Sequence, residues 1–207
     1  MTETPVNYGN VPGNYYDKYN TKNPIAHYLM NSFLDTFDEL AEKTGARNSY
    51  EVGCGEGNLS MRLHDRGWNV HGCDLEAVSV AEANHQCAAR GTAPKFETRS
   101  LFDLKPQEAR AELVISCEVL EHVPQTERAL AVLKTLANPY LLLSVPREPI
   151  WRVLNMARGK YIGRLGNTPG HIRHWSSAAF LDLLQPTVKI VAVRKPLPWT
   201  MVLCRCD

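Results

Sequence analysis

Between Gly45 and Val145 short apolar runs alternate with stretches of helical periodicity, and this alternation restricts the fold more than any other feature of the chain. Runs at 49–53, 69–73, 95–98, 113–116 and 140–145 read as strands, and 59–66, 78–90 and 126–136 as helices. A helix between two strands carries the chain back to the starting edge of a sheet, so the next strand enters parallel through a right-handed crossover. The pattern predicts an α/β, doubly wound sheet with helices on both faces. Two further strands, 188–193 and 200–206, bring the number to seven. They are joined only by Lys195-Pro196-Leu197-Pro198, too short for a crossover helix, so the last strand runs antiparallel in a mostly parallel sheet.

Ahead of the alternation, residues 1–23 carry turn-formers and tyrosines without periodicity and read as an arm. An amphipathic helix over 25–43 follows, with Tyr28, Phe33, Leu34, Phe37 and Leu40 near one side. Beyond Pro146 the rhythm breaks into an insertion, 147–170, punctuated by Pro and Gly and containing a helix near 150–158; a helix at 177–184 precedes the last two strands. A chain of 207 residues, 44% hydrophobic, supports one core, so 1–207 is expected to be a single domain with 1–44 as arm and helix.

The local signal with most chemistry is Glu51-Val52-Gly53-Cys54-Gly55-Glu56-Gly57-Asn58, which follows a strand and opens a helix. Glycines there let the backbone turn tightly and pass close to a bound nucleotide. A nicotinamide-dinucleotide fingerprint needs its third glycine where Asn58 stands; here it comes one residue earlier, at Gly57.

An acidic residue followed by G-x-G-x-G resembles the first motif of the class I S-adenosylmethionine-dependent methyltransferases, and the resemblance runs from about Tyr19 to Cys206. It implies a Rossmann-like fold, S-adenosyl-L-methionine as cofactor, and Glu51, Gly53, Cys54, Gly55 and Gly57 around it. Asp74, about twenty residues past the glycines at the end of the second strand, is placed to accept both ribose hydroxyls, with Leu75 beside it. The same carboxylate also suits an N-cap for the following helix. By the same resemblance Ser100, Leu101 and Phe102 hold the adenine, although many family members are acidic where this chain has Ser100, and Cys117 closes the cofactor site.

The reaction centre is expected just past the fourth strand, in Ser116-Cys117-Glu118-Val119-Leu120-Glu121-His122-Val123-Pro124, because open α/β sheets bind ligands at their carboxyl edge. Its E-x-x-E-H resembles that of the ubiquinone-pathway O-methyltransferases and of the small-RNA 3′-end 2′-O-methyltransferases. The latter also have a later histidine before a tryptophan, matched here by His171 and Trp175. Where they have Phe-Glu before that tryptophan this chain has Arg173-His174, which weakens the case for RNA. Glu118, Glu121, His122 and His171 then make a ligand set for Mg²⁺, Mn²⁺, Fe²⁺, Co²⁺ or Zn²⁺. In many members of the superfamily the same residues organise the loop without a metal. In that case His122, His171 or His174 serves as general base, imidazole alone titrating near neutrality.

Between Arg147 and His174 stand Arg147, Arg152, Arg158, Lys160, Arg164 and Arg173 against the lone Glu148, in a chain of formal charge +1. The cluster reads as a solvated face, or as a surface meeting an anionic or amphiphilic small-molecule acceptor, an RNA end or a lipid headgroup. Trp151, Leu154, Met156 and Tyr161 add apolar surface, consistent with lid packing or peripheral membrane contact. The near-neutral total disfavours general duplex binding. The primary expectation is methyl transfer to oxygen on a small molecule; the alternatives are an RNA-end 2′-O-methyltransferase and a noncatalytic cofactor-binding module. No apolar run reaches the roughly 20 residues of a membrane span, and no signal layout opens the chain. Six cysteines (Cys54, Cys73, Cys87, Cys117, Cys204, Cys206) lack disulfide or zinc-knuckle spacing, so a cytoplasmic protein with reduced thiols is expected.

Overall fold

The computed structural model describes residues 23–93 and 95–206; Tyr15, Tyr16, Tyr19 and Lys22, expected to cover the cofactor, lie outside the described residues. Strands β1 (Asn48–Val52), β2 (Asn69–Asp74), β3 (Phe96–Thr98), β4 (Ala111–Cys117), β5 (Ala137–Pro146), β6 (Lys189–Arg194) and β7 (Trp199–Arg205) form one sheet. Their order is β3-β2-β1-β4-β5-β7-β6. Pairs among β1 to β5 are parallel, and β7 is antiparallel to both β5 and β6, as the short 195–198 connection requires.

Helices α1 (Pro24–Glu42), α2 (Asn58–His64) and α3 (Ala77–Ala89) cover one face. The other face is covered by α4 (Pro106–Ala109), α5 (Thr126–Leu136) and α7 (Ser177–Leu184). With both faces covered, the central strands are apolar without alternation: Leu113, Val114 and Ile115 are consecutive and all fully buried. Each contributes about 1.5–3 kcal/mol by leaving water.

Helix α1 starts where Asn23 caps it, the Oδ1 accepting from the amides of Ile25 (3.0 Å) and Ala26 (3.1 Å), with Pro24 preorganising the first turn. Its buried face is Met30, Phe33, Phe37, Leu40 and Ala41. Tyr28, expected on that face, is exposed, and Leu34 only partly buried. Five residues separate Tyr28 from Phe33, and at about 100° per residue that turns its side chain well away from the sheet. Asp38, buried on the same helix, accepts Arg62 of α2 and Arg66 of the turn just beyond it, and ties the two helices together.

The insertion after β5 is a folded unit built on α6 (Ile150–Ala157). Buried Asn155 donates to the carbonyl of Gly166 (2.9 Å) and to the Thr168 hydroxyl (3.2 Å), and accepts Arg158. Gly166 has φ +76°, and a Cβ there would lie 2.2 Å from the Arg152 carbonyl oxygen, so only glycine closes this loop. Among the described residues no helix is long and apolar enough to cross a membrane.

Candidate active site

The carboxyl ends of β1, β2 and β4 carry the glycine loop, Asp74 and the 118–122 segment, so the sheet brings the three sequence motifs to one edge. Gly53 (φ +77°) passes under Val119: a Cβ at Gly53 would sit 2.3 Å from Val119 Cγ2. The amides of Gly53 and Cys54 both donate to the Cys73 carbonyl, at 2.8 and 3.0 Å. The loop is thereby draped over the end of β2.

Asp74 pins the loop from the other side. Its Oδ2 accepts the Gly55 amide (2.8 Å) and its Oδ1 the Glu76 amide (2.9 Å). The cap position of α3 is taken by Glu76, not by Asp74 as the capping alternative had it. Leu75 beside it is exposed, and on the neighbouring connection Leu101 is buried and Phe102 half-buried. Ser100 accepts the Phe102 amide through its hydroxyl (3.2 Å), which sets the turn over 101–103, and the guanidinium of Arg128 lies 4.6 Å from the Phe102 ring centre.

Glu51 reaches from β1 to the start of α2. Its side chain is buried, and Oε2 accepts both the amide (3.1 Å) and the hydroxyl of Ser60. Gly57, the cap residue of α2, offers no side chain, so Glu51 supplies the negative charge at the helix N-terminus. Cys54 and Cys117 are buried at the same edge. Burial, then the carboxylates of Glu51 and Asp74, push the Cys54 thiol far above its ordinary range, so it stands there as a neutral, inert group.

At the end of β4, Glu118 adopts φ 60°, a left-handed conformation that costs a non-glycine residue roughly 1–2 kcal/mol. The turn aims its carboxylate along the sheet edge: Oε1 accepts the Ser144 hydroxyl (3.1 Å) and Oε2 the indole N–H of Trp199 (2.7 Å). Residues 170–172 are laid against 121–122 by backbone bonds, the amides of Ile172 and Arg173 donating to the Glu121 carbonyl (2.9 and 3.1 Å). His122 Nδ1 lies 3.0 Å from the Gly170 carbonyl oxygen. A carbonyl only accepts, so Nδ1 carries the hydrogen.

These contacts bring His122 and His171 together, ring centres 4.9 Å apart and nearly perpendicular. Glu121, His122 and His171 each place one ligand atom within 4.8 Å of the others, with Glu121 and His171 buried. Glu118 stands outside this trio. Its side chain, like that of His174, is directed elsewhere: His174 is exposed, its Nε2 2.7 Å from Asn167 Oδ1. Trp151 stacks on His171 at 5.8 Å, and Trp199 packs on Trp151 at the same distance. Sequence reading did not single out Trp199 or Ser144. Their one signal was position, since the tight 195–198 connection returns Trp199 to the carboxyl edge, where it pairs with Pro146.

The arginines of the insertion differ from those elsewhere in their partners. Elsewhere Arg47, Arg62, Arg66, Arg90, Arg99 and Arg194 each hold a carboxylate. Among the described residues no salt bridge joins Arg147, Arg158, Arg164 or Arg173 to one, and Arg152 donates through Nε to the Leu165 carbonyl. Burial pushes the carboxyl of Glu148, the single acid of that stretch, upward. Val153, Met156, Ile162, Leu165 and Ile172 are exposed among these arginines.

Comparison with known proteins matches this architecture. A family model described as a methyltransferase domain matches residues 50–139, the stretch from within β1 to the start of β5. The ubiquinone biosynthesis O-methyltransferase of Hahella chejuensis is 28% identical over 168 residues, covering 73% of this chain and 69% of that protein. Among solved structures, the magnesium protoporphyrin IX methyltransferase of Synechocystis with bound S-adenosylhomocysteine superposes with a TM-score of 0.68 at 20% identity, covering 90% of this chain and 89% of that one. The N-methyltransferase NodS of Bradyrhizobium japonicum gives 0.65 at 14% identity, over 86% and 97%. With the glycine loop and Asp74 on the carboxyl edge of a sheet ordered β3-β2-β1-β4-β5-β7-β6, the chain carries a methyltransferase domain similar to those of the class I S-adenosylmethionine-dependent methyltransferases.

Proposed function

We propose that this methyltransferase acts on an oxygen atom of a small amphiphilic acceptor, with Glu121, His122 and His171 holding a divalent cation beside the transferred methyl group. The convergence of those three side chains supports the reading most directly. One carboxylate and two imidazoles suit a first-row divalent ion, and the Nδ1–H of His122, held by the Gly170 carbonyl, leaves Nε2 as donor. When bound, such an ion orients the acceptor oxygen and lowers its pKa.

The chain's own residues supply alignment. Methyl transfer is an in-line displacement: the acceptor oxygen bonds to the methyl carbon, the carbon–sulfur bond breaks, and neutral S-adenosylhomocysteine leaves. Asp74 fixes the ribose, the glycine loop the amino-acid end, and Leu75 and Phe102 flank the adenine. The acceptor proton passes to the Glu121 carboxylate, which has a second oxygen besides the one offered as a ligand.

The insertion supports the choice of acceptor. Arginines without carboxylate partners beside exposed Val153, Met156, Ile162, Leu165 and Ile172 suit an acceptor with an apolar part and an anionic part, presented at a lipid surface. An oxygen acceptor is also what the name of the Hahella relative describes. Cysteines that form no disulfide among the described residues support a reducing, cytoplasmic setting. The test is calorimetric titration of Mg²⁺, Mn²⁺, Fe²⁺ and Zn²⁺ into the S-adenosylhomocysteine complex of wild type and His171→Ala. Stoichiometric binding that the variant loses is expected; absence of binding to the wild type rejects the metal.

A further inference from the structure

We infer that Glu118 is a positioning residue: from the end of β4 it holds the indole of Trp199, and through Trp199 and Trp151 it fixes the ring of His171 against His122. The chain of contacts is continuous. Glu118 takes one hydrogen bond from Ser144 on β5 and one from Trp199 at the start of β7, so its carboxylate ties three strand ends together. The Trp199 ring is buried, clamped edge-on by Phe33 of α1 at 4.9 Å and packed at 5.8 Å on Trp151. Trp151 is fixed in turn by its own N–H, which donates to the Thr168 hydroxyl (2.9 Å), and it stacks on His171 with 26° between planes. His171 then meets His122 edge-on.

Two features favour this role over direct ligation. The trio whose ligand atoms converge is Glu121, His122 and His171. A swing of Glu118 toward that trio would also strand the buried indole N–H of Trp199 without its acceptor, which a buried donor resists. The left-handed backbone at Glu118 is consistent with a residue held for what its side chain reaches. Motif spacing alone would treat the two glutamates of E-x-x-E-H as equivalent; the geometry separates them into one that faces the histidines and one that braces the wall behind them.

The test has two arms, and only the second rests on the proposed cation. In the first, indole N–H and histidine ring signals of the full-length protein are followed by NMR in Glu118→Gln and in Trp199→Phe, which keeps a ring but removes the donor. Both variants are expected to move the Trp151 indole and His171 ring signals while leaving in place the indole signal of Trp68, which precedes β2 at the opposite, amino end of the sheet. A response confined to Trp199 in Glu118→Gln, with Trp151 and His171 unmoved in both variants, overturns the relay. In the second arm Mn²⁺ is titrated into the S-adenosylhomocysteine complex. Glu118→Gln and Trp199→Phe should each weaken binding by about 10-fold, the scale of an outer-shell change, with the double variant no worse than either alone. Loss of all binding in Glu118→Gln with Trp199→Phe unaffected makes Glu118 a ligand and overturns the inference. If wild type binds no Mn²⁺, the proposed cation falls and the first arm alone decides the relay.

Discussion

Both oxygens of Asp74 accept backbone hydrogens, one from Gly55 and one from Glu76, so a single carboxylate joins the end of β2 to the glycine loop and still has lone pairs for a further partner. Asp74→Ala removes a charged acceptor worth about 1.5–3 kcal/mol, so S-adenosylhomocysteine affinity measured by calorimetry should fall roughly 10- to 100-fold. Unchanged affinity would reject the ribose role. The place of this residue, at the end of β2 against the glycine loop, was legible in the sequence because a carboxylate ending a strand about twenty residues past a glycine loop has few places to go. Glu51 was not: its motif position names the edge, while the Ser60 amide and hydroxyl that take its carboxylate are set by how α2 begins. Glu118 shows the same limit, since a left-handed backbone angle, invisible in residue spacing, decides which way its side chain points.

At the level of elements, the insertion is the part whose role its sequence left most open. Composition announced arginines and apolar side chains without saying whether they were a floppy loop or an ordered unit. Asn155 orders the segment by binding the Gly166 carbonyl and the Thr168 hydroxyl, and the same Thr168 holds the indole of Trp151. Folding of the insertion and the placement of His171 are thus coupled. Gly166→Ala forces both a disfavoured φ and a clash with the Arg152 carbonyl, and the loop must open to relieve them. We expect faster limited proteolysis between α6 and His171 and reduced methyl transfer, with S-adenosylhomocysteine affinity retained because the glycine loop and Asp74 lie on other strands. A parallel loss of cofactor affinity would show that the insertion supports the cofactor site too.

Across the whole molecule the doubly wound sheet was readable because both of its signals are local: helical and extended periodicities alternate, and the 195–198 connection is too short to cross over. Less readable was how many ionisable groups the finished core would enclose. Tyr50, Cys54, Cys73 and Cys204 are all buried, and burial is the leading cause that raises each; Cys73 is pushed to about 11 and Cys204 to about 12. A raised value means the folded protein keeps these protons more tightly than the unfolded chain, whose thiols ionise near 9. Stability from these thiols is therefore complete below pH 9 and is lost as pH rises through 11 toward 12, at up to about 1.4 kcal/mol per pH unit for each group. Urea midpoints should hold level from about pH 7 to 8.5 and fall steeply above about pH 9. Cys204→Ala, which removes one such group, should flatten the fall while lowering the neutral-pH midpoint slightly through lost packing. A midpoint that stays level to about pH 10.5 in the wild type would mean that the thiols ionise as easily in the folded protein as in the open chain, and that the core around β2 and β7 admits water.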